Sequence, residues 1–455
     1  MQISQRKQKM RKWYPRLAIL AICTQLISIF RTLYLRQPVP LTNDTAFFEH
    51  AGWYITQGAV PYVDFWDVKP PLIHETAAVL SFITGGNMSY LHYLSVLLMS
   101  GLAVGILLLV VSLSYKVTEN RKAAIVAGIA VLAHPAFHHL PTLGLWAKYF
   151  SVFFGLFAIW CIKTDRYFLA GVTGAASAGY WQFGLIFPLI VFGLTIQNGE
   201  RADARNTIIG MAVITALTIA PIIHRGGFVA MMSQVVFLPF TISEDYTLLH
   251  RLGKGVLYLG YAGIVLILGI IGAAYSFYVD KKETWWIAAG LGWFGVQLLA
   301  LNFASEADLF PALIFTALGV GVLVAHLTPE RQKQVGAIVG AIALLSVTML
   351  GSVGLIVSPI DPGPNGDTLT EQALYQAEEN VNPDGANESI RSQSDIDFNS
   401  SLSAKEIYRN KIQPKYCHYR LSGYEIKYLE QMNRSYKSEK CGFSSLSEAS
   451  EAHFG

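Results

Sequence analysis

Long apolar runs separated by short polar loops fill the chain up to about residue 357. A helix needs roughly 17 to 25 apolar residues to cross a hydrocarbon core of about 30 Å. Runs of suitable length predict spans near residues 15–35, 90–114, 122–141, 145–162, 206–223, 255–278, 284–303, 308–327 and 334–357. The pattern therefore predicts an all-α protein that crosses a membrane many times.

Two segments do not fit one simple crossing. Residues 167–196 are too long for a single span and are interrupted by Gly179, Trp181 and Gly184. They predict either a tight helical hairpin or one broken helix. Residues 72–84 are apolar but short, which is typical of an interfacial segment or a partial crossing.

Basic residues orient the predicted helices, because Lys and Arg collect in short cytoplasmic loops. Besides the basic N-terminal segment, they occur at Lys116, Arg121, Lys122, Lys163, Arg166, Arg201, Arg205, Lys281, Lys282, Arg331 and Lys333. All of these lie on one side if 72–84 makes no net crossing and 167–196 is a hairpin, which gives about eleven spans. The loop 36–71 and the C-terminal tail then face outward.

The tail changes character at residue 358, where a run of Pro and Gly breaks any helix. We therefore expect a transmembrane domain over 1–357 and a small, partly disordered extracytoplasmic region over 358–455. Cys417 and Cys441 lie in this tail, where an oxidising exterior permits either a disulfide or free thiols. The other two cysteines lie in predicted spans and are interpreted as packing residues.

Composition supports the membrane assignment, since 53% of residues are hydrophobic and only 14% are charged. A soluble domain carries roughly 25% charged residues. The net charge of +3 is divided among many short loops, so no nucleic-acid-binding surface is expected. No CxxC or HExxH spacing indicates a metal site, although carboxylates alone leave dependence on a divalent ion open.

The first outer loop carries three carboxylates and a lysine, at Asp44, Asp64, Asp67 and Lys69. Ionisable residues beside hydrocarbon usually face a site or a partner. Asp44 could accept a proton, or it could cap an interfacial helix that begins at Thr45. We interpret Asp64 as a turn residue, and Asp67 as either a turn residue or a site residue.

The order of motifs in this loop resembles that of a known enzyme family. An acid, Asp44, follows the first span; an aromatic stretch over 47–58 comes next, and Lys69-Pro70-Pro71-Leu72 leads into the next helix. This order resembles the C-type glycosyltransferases of family 39, among them archaeal dolichol-phosphate-mannose mannosyltransferases of N-glycosylation. The chain departs from the family in lacking a second acid beside Asp44 and in carrying Lys148 where many relatives have an acid.

The resemblance implies a C-type helical bundle in the cell membrane with an extracytoplasmic active site. It further implies transfer of a sugar, which is mannose in the relatives that this chain most resembles, from a dolichol- or polyprenyl-phosphate donor to a glycan or glycoprotein acceptor. Membrane lipids are the remaining expected partners. The rival interpretation is a polytopic transporter or flippase for lipid-linked sugars, which would also hold charges within a helical bundle.

Such a transfer needs a base for the acceptor hydroxyl and cations for the departing phosphate. Asp44 fits the base, and the candidate phosphate-binding residues are Lys69, Arg225, Arg251 and Lys254. Further candidates are Asp67, His74, His138, His139 and Lys148. Packing or capping is the alternative for the adjacent histidine pair, and contact with lipid headgroups is the alternative for the three cations of the later loop.

Overall fold

The structure is a computed structural model, which describes residues 13–32, 42–65, 67–237, 247–279, 281–301, 303 and 306–349. The predicted domain boundary at residue 358 and the tail cysteines lie outside these residues. Within the described part the chain is helical, and the β pairing there is an isolated bridge between Pro61 and Phe65. The prediction of an all-α fold is confirmed.

The described residues form sixteen α-helices. They are α1 Tyr14–Phe30, α2 Asn43–Thr56, α3 Leu72–Ile83, α4 Met88–Thr118, α5 Arg121–Leu132, α6 Pro135–His139, α7 Ala147–Ile162, α8 Tyr167–Tyr180, α9 Ile186–Asn198, α10 Arg201–His224, α11 Phe228–Met231, α12 Leu248–Leu259, α13 Gly263–Val279, α14 Lys281–Val296, α15 Glu306–Ala325 and α16 Pro329–Met349. Short 3-10 turns occur at Leu140–Leu143, Gln182–Leu185 and Gly260–Ala262, and π-helical segments at Met232–Phe237 and Gln297–Leu301.

Five helical segments of the described chain are long and apolar enough to cross a membrane, or six if one bent pair counts as a single span. Other apolar helices, among them α1, α3 and α7, have only 10–17 residues. The short length of α3 agrees with an interfacial position or a partial crossing. The total of about eleven spans remains a prediction.

The apolar run near 122–141 is not one straight helix. The axis turns by 73° between α5 and the segment Pro135–Leu143. Pro135 disfavours helical backbone in the residue before it, and His134 is extended, with φ −94° and ψ 122°. The proline therefore explains the break.

Residues 167–196 form a helical hairpin. Helices α8 and α9 pack side by side, and a Cβ built on Gly174 would lie 3.5 Å from Cα of Pro188. Near the turn, Oγ of Ser177 donates to the carbonyl of Gly184 at 3.4 Å. The contact between residues equally far before and after the turn favours the hairpin over one broken helix.

The chain divides into two compact units. Among the described residues, the first unit, called the span unit, comprises 13–32, 95–219, 247–279, 281–301, 303 and 306–349. The second, called the loop unit, comprises 42–65, 67–94 and 220–237.

In the span unit, α13 and α15 approach each other closely through glycines. A Cβ on Gly272 would lie 1.9 Å from the carbonyl oxygen of Gly319, and a Cβ on Gly319 would lie 2.2 Å from that of Gly269. Small residues let two helix backbones approach within a membrane. Helix α15 is also largely enclosed, since 94% of the residues in its most apolar stretch of 18 residues are buried.

In the loop unit, α2 packs on α3. A Cβ on Gly52 would lie 2.3 Å from the backbone carbon of Ala77, so the two backbones nearly touch. The side chains of Phe47, Phe48 and Ala51 are buried. The predicted outer loop 36–71 thus contains a packed helix of 14 residues.

Candidate functional site

The start of α2 determines the position of Asp44. Oγ1 of Thr42 accepts a hydrogen bond from the backbone N–H of Thr45 at 3.1 Å, so Thr42 is the N-cap. Asp44 lies in the first turn, where a carboxylate interacts favourably with the helix dipole. The alternative that Asp44 caps a helix beginning at Thr45 is therefore wrong.

Asp44 shares a helix face with two buried aromatic residues. Phe47 and Phe48 follow it by three and four residues, the spacing that brings side chains to one face of a helix. Each phenyl ring lies 5.9 Å from the His74 imidazole, centroid to centroid. The helix face that carries Phe47 and Phe48 is thus directed at the first turn of α3, where His74 lies.

Asp67 and His74 are paired in the interior of the loop unit. Oδ2 of Asp67 lies 2.9 Å from Nε2 of His74, and both side chains are buried. The rings of Phe65 and Tyr62 also surround the imidazole, at 5.2 and 6.1 Å. This enclosure fits a role in holding the segment between Tyr62 and His74 more closely than direct contact with substrate.

Three hydrogen bonds fix the backbone at Tyr62, Asp67 and Lys69. The Tyr62 hydroxyl donates to the carbonyl of Lys69 at 2.7 Å. Nε2 of Gln234 donates to the Tyr62 carbonyl at 2.9 Å, and its Oε1 accepts from the N–H of Asp67 at 3.2 Å. Burial raises the pKa of Tyr62 well above its usual value, which keeps the phenol protonated as a donor. The Lys69 side chain itself is half-buried.

Arg225 lies beside the turn that precedes this segment. Its Nη1 donates to the carbonyl of Ala59 at 3.1 Å, and the residue is exposed. Oδ2 of Asp64 accepts from the N–H of Val60 at 2.6 Å, as expected of a turn residue. Arg225 and Lys69 therefore belong to the same unit.

Sequence reasoning missed two carboxylates of the loop unit. Glu49 is fully buried, and both of its carboxylate oxygens lie 3.2 Å from Nδ1 of His92, which ties α2 to α4. Oε1 of Glu75 is buried with no hydrogen-bond partner among the described residues, and burial raises the pKa of this carboxyl to about 7. The sequence feature that could have identified Glu75 is its position as an acid within the apolar run 72–84.

Arg251 and Lys254 lie in the span unit. The Arg251 guanidinium is buried and donates to the carbonyls of Leu298 and Leu301 at 3.3 and 3.4 Å. Nζ of Lys254 donates to the carbonyl of Phe303 at 3.4 Å. Both cations thus donate to carbonyls at the end of the π-helical segment, where the carbonyl oxygens have no N–H partner within the helix.

The histidine pair belongs to the break after α5. Nε2 of His138 bonds to the carbonyl of Leu132 at 2.8 Å, and its side chain is buried. The carbonyl of His139 accepts from Oγ1 of Thr142 at 2.7 Å. The buried His138 side chain and its bond to a backbone carbonyl agree with the packing or capping alternative, whereas the His139 bond involves only its backbone.

Lys148 is paired with an acid that the sequence analysis did not single out. Nζ of Lys148 lies 2.5 Å from Oδ1 of Asp308 and 5.6 Å from the centre of the Trp181 ring. The buried Asp308 and the half-buried Glu306 stand in the first turn of α15. Their signal in the sequence was a pair of acids at the start of an apolar run.

The described residues contain no group of three or more His, Cys, Asp or Glu side chains that could hold a metal ion. The predicted site residues that belong to the loop unit are Asp44, Asp67, Lys69, His74 and Arg225, of which Asp67 and His74 are in direct contact. Those in the span unit are His138, His139, Lys148, Arg251 and Lys254.

The helical membrane fold, with an acid after the first helix and a Lys-Pro-Pro segment held by hydrogen bonds, resembles the C-type glycosyltransferases. The fold is similar to that of ArnT from Cupriavidus metallidurans, crystallised with undecaprenyl phosphate, with a TM-score of 0.55. The sequences are 12% identical, and the match covers 74% of this chain and 77% of that one. At this identity the likeness concerns the fold.

Sequence similarity narrows the class. The family described as DolP-mannose mannosyltransferase matches residues 58–220, a range that includes Lys69 and Lys148. A dolichol phosphate-mannose mannosyltransferase of Haloferax volcanii is 32% identical over 441 residues, covering 93% of this chain and 95% of the relative. The chain belongs to the dolichol-phosphate-mannose mannosyltransferase family. The family resemblance of the first outer loop is confirmed, and a transporter or flippase is not favoured.

Proposed function

We propose that this enzyme transfers mannose from a dolichol- or polyprenyl-phosphate donor to a glycan or glycoprotein acceptor at the extracytoplasmic face of a cell membrane. Family membership supports the donor and the sugar. The distribution of Lys and Arg among the loops supports the outward position of the site.

The observation that carries the proposal is the fixed position of the Lys69 segment in the same unit as Asp44. Tyr62 and Gln234 hold the backbone from residue 62 to 69, and Pro70 and Pro71 restrict the backbone that follows. A cation held in this way can stabilise the phosphate as the sugar departs, because preorganised charge needs little rearrangement during the reaction.

The reaction assigns a separate role to each charged group. Asp44 takes the proton of the acceptor hydroxyl, whose oxygen then bonds to the anomeric carbon of mannose. The bond from that carbon to the phosphate oxygen breaks, and its electron pair stays with the phosphate, which Lys69 contacts. We place Arg225 as the second cation on the phosphate, since guanidinium groups bind phosphate strongly. The contacts of Arg251 and Lys254 with carbonyls support a role in holding residues 297–303 instead.

The test is a donor titration with purified full-length protein, dolichol-phosphate mannose and a glycan acceptor, following release of dolichol phosphate. We expect Lys69→Ala to weaken donor use and turnover together, and Lys69→Arg to retain part of the activity because the charge persists. Lys122→Ala, which removes an exposed cation from a predicted cytoplasmic loop, is the matched control. Unchanged donor dependence in Lys69→Ala would remove Lys69 from the site.

A further inference from the structure

A groove on the span unit lies between α1, α4 and α7. Its volume is about 390 Å³, and it is lined by Tyr14, Gly105, Leu108, Leu109, Ser112, Phe153, Phe157 and Trp160. The proposed transfer reaction uses none of these residues. The groove therefore requires an explanation of its own.

One wall of the groove is a row of parallel aromatic rings. The rings of Phe153 and Phe157 lie 6.2 Å apart with 9° between their planes, and those of Phe157 and Trp160 lie 5.6 Å apart with 11° between theirs. The Phe153 ring packs directly on the backbone of Gly105, since a Cβ there would lie 2.6 Å from the phenyl ring, and this contact holds the ring flat along α4. The result is a flat apolar channel suited to a hydrocarbon chain.

The polar atoms along the groove already bond to the protein. Nε1 of Trp160 donates to Oγ of Ser112 at 3.1 Å, and the Tyr14 hydroxyl donates to the carbonyl of Leu108 at 3.0 Å. Burying a polar ligand group without a new hydrogen bond is unfavourable. An occupant should therefore be apolar along this part of its length.

One end of the groove is basic. The Arg166 guanidinium lies 5.7 Å from the centre of the Trp160 ring. Lys116 follows Ser112 by one helical turn, and its Nζ donates to the carbonyl of Lys163 at 3.1 Å. At the start of α1, the guanidinium of Arg121 from α5 lies over the ring of Trp13, the residue before Tyr14.

Cations outnumber acids at this end of the helices. The cations are Arg16, Lys116, Arg121, Lys122, Lys163, Arg166, Arg201, Arg205 and Lys282, and the acids in the same region are Glu119, Asp165, Glu200, Asp203 and Glu283. Glu283 is paired with Lys163. An excess of positive charge therefore lies at one end of an apolar channel.

We propose that this groove is a binding site for an anionic phospholipid. One hydrocarbon chain lies along the aromatic wall, and the phosphate contacts Arg166 and Lys116. The basic end faces the cytoplasm under the positive-inside rule, so the bound lipid belongs to the cytoplasmic leaflet. This leaflet is opposite to the predicted side of the transfer reaction, which separates the groove from the donor site.

The experiment uses the purified full-length protein in nanodiscs that contain lipids with brominated chains. Bromine quenches tryptophan fluorescence at contact, and the difference between wild type and Trp160→Phe isolates the signal of Trp160. We expect brominated phosphatidylglycerol to quench this signal more strongly than brominated phosphatidylcholine at the same mole fraction. Arg166→Ala should lower that preference by about fivefold, the effect of removing one basic side chain near an anionic lipid surface.

Arg205→Ala is the matched control, because it removes an exposed cation of the same predicted side, on α10, whereas Arg166 lies over Trp160, a residue that lines the groove. It should keep the preference, and Arg166→Lys should keep most of it. Equal quenching by the two brominated lipids would overturn the proposal, since the groove would then take bulk lipid without selection. Displacement of the brominated lipid by dolichol phosphate, but not by unlabelled phosphatidylglycerol, would also overturn it and make the groove a site for the donor tail.

Discussion

At the residue scale, the hydroxyl of Thr42 leaves Asp44 without a capping role in α2. Because Thr42 caps α2, the helix does not require Asp44 for its first hydrogen bond. The loss of the Asp44 charge and the loss of the cap can therefore be measured separately. A substitution at Asp44 tests the chemistry, and a substitution at Thr42 tests the stability of the helix.

Asp44→Asn should lower the transfer rate by about 100- to 10,000-fold, because the amide cannot accept the acceptor's proton. Folding and donor binding should remain close to those of wild type. Thr42→Ala should have the opposite profile, with a stability loss of about 1 kcal/mol and near-normal turnover. Turnover and thermal unfolding of both variants check the prediction, and an Asp44→Asn enzyme within about threefold of wild type would contradict it.

Glu75 should make the stability of the loop unit depend on pH. Burial raises the pKa of this carboxyl from 4.5 to about 7, so the folded protein holds its proton more tightly than the unfolded chain does. The stabilising contribution is complete below pH 4.5 and is lost as pH rises through about 7.

Glu75→Gln should remove this part of the pH dependence, because the amide does not ionise. The measurement is the apparent melting temperature in nanodiscs between pH 4.5 and 7. Glu330→Gln, at an exposed glutamate, serves as the control and should leave the wild-type slope in place. An unchanged slope in Glu75→Gln would assign the dependence to other groups.

The sequence identified some site residues and missed others for a physical reason. Asp44 and Lys69 stood out because they are charged residues beside apolar runs. The partner of Lys148 lies 160 positions away, at Asp308, and no local pattern joins the two. The fixed backbone at Lys69 likewise depends on Gln234, a neutral residue of a distant segment.

At the scale of elements, apolar length predicted most helices, and local chemistry determined where they break. Pro135 ends the run that begins at α5, although hydropathy alone continues to residue 141. Helix α2 was less visible as a packed element, since its buried face combines aromatic residues with Glu49 and His50. Hydropathy does not distinguish such a helix from a polar loop.

The contact between α13 and α15 should tolerate no side chain at Gly319. A Cβ there would lie 2.2 Å from the carbonyl oxygen of Gly269, so the two backbones must separate. We expect Gly319→Ala to lower the yield of folded protein and its apparent melting temperature. Gly292→Ala is the matched control, because nothing lies within 4 Å of its Cβ position. Equal stability of the two variants would contradict this account of the packing.

At the scale of the whole molecule, the distribution of charge among the loops predicts the orientation in the membrane. The clustering of Lys and Arg predicts that Gln57, after α2, lies outside and that Lys122, at the start of α5, lies inside. In a variant without the four native cysteines, an impermeant thiol reagent should label Gln57→Cys in intact cells. Lys122→Cys should be labelled only after lysis, and the reverse pattern would invert the proposed side of catalysis.

Gln234 should slow the local opening of the backbone around Asp67 in the loop unit. Its single amide group bonds to Tyr62 and Asp67, within a segment that has no regular secondary structure over most of its length. Amide protons open to solvent at rates set by local stability, and the Asp67 N–H is held by a buried partner. Deuterium should therefore enter at the Asp67 amide as slowly as it enters a packed helix, and Gln234→Ala should make the uptake at this amide fast.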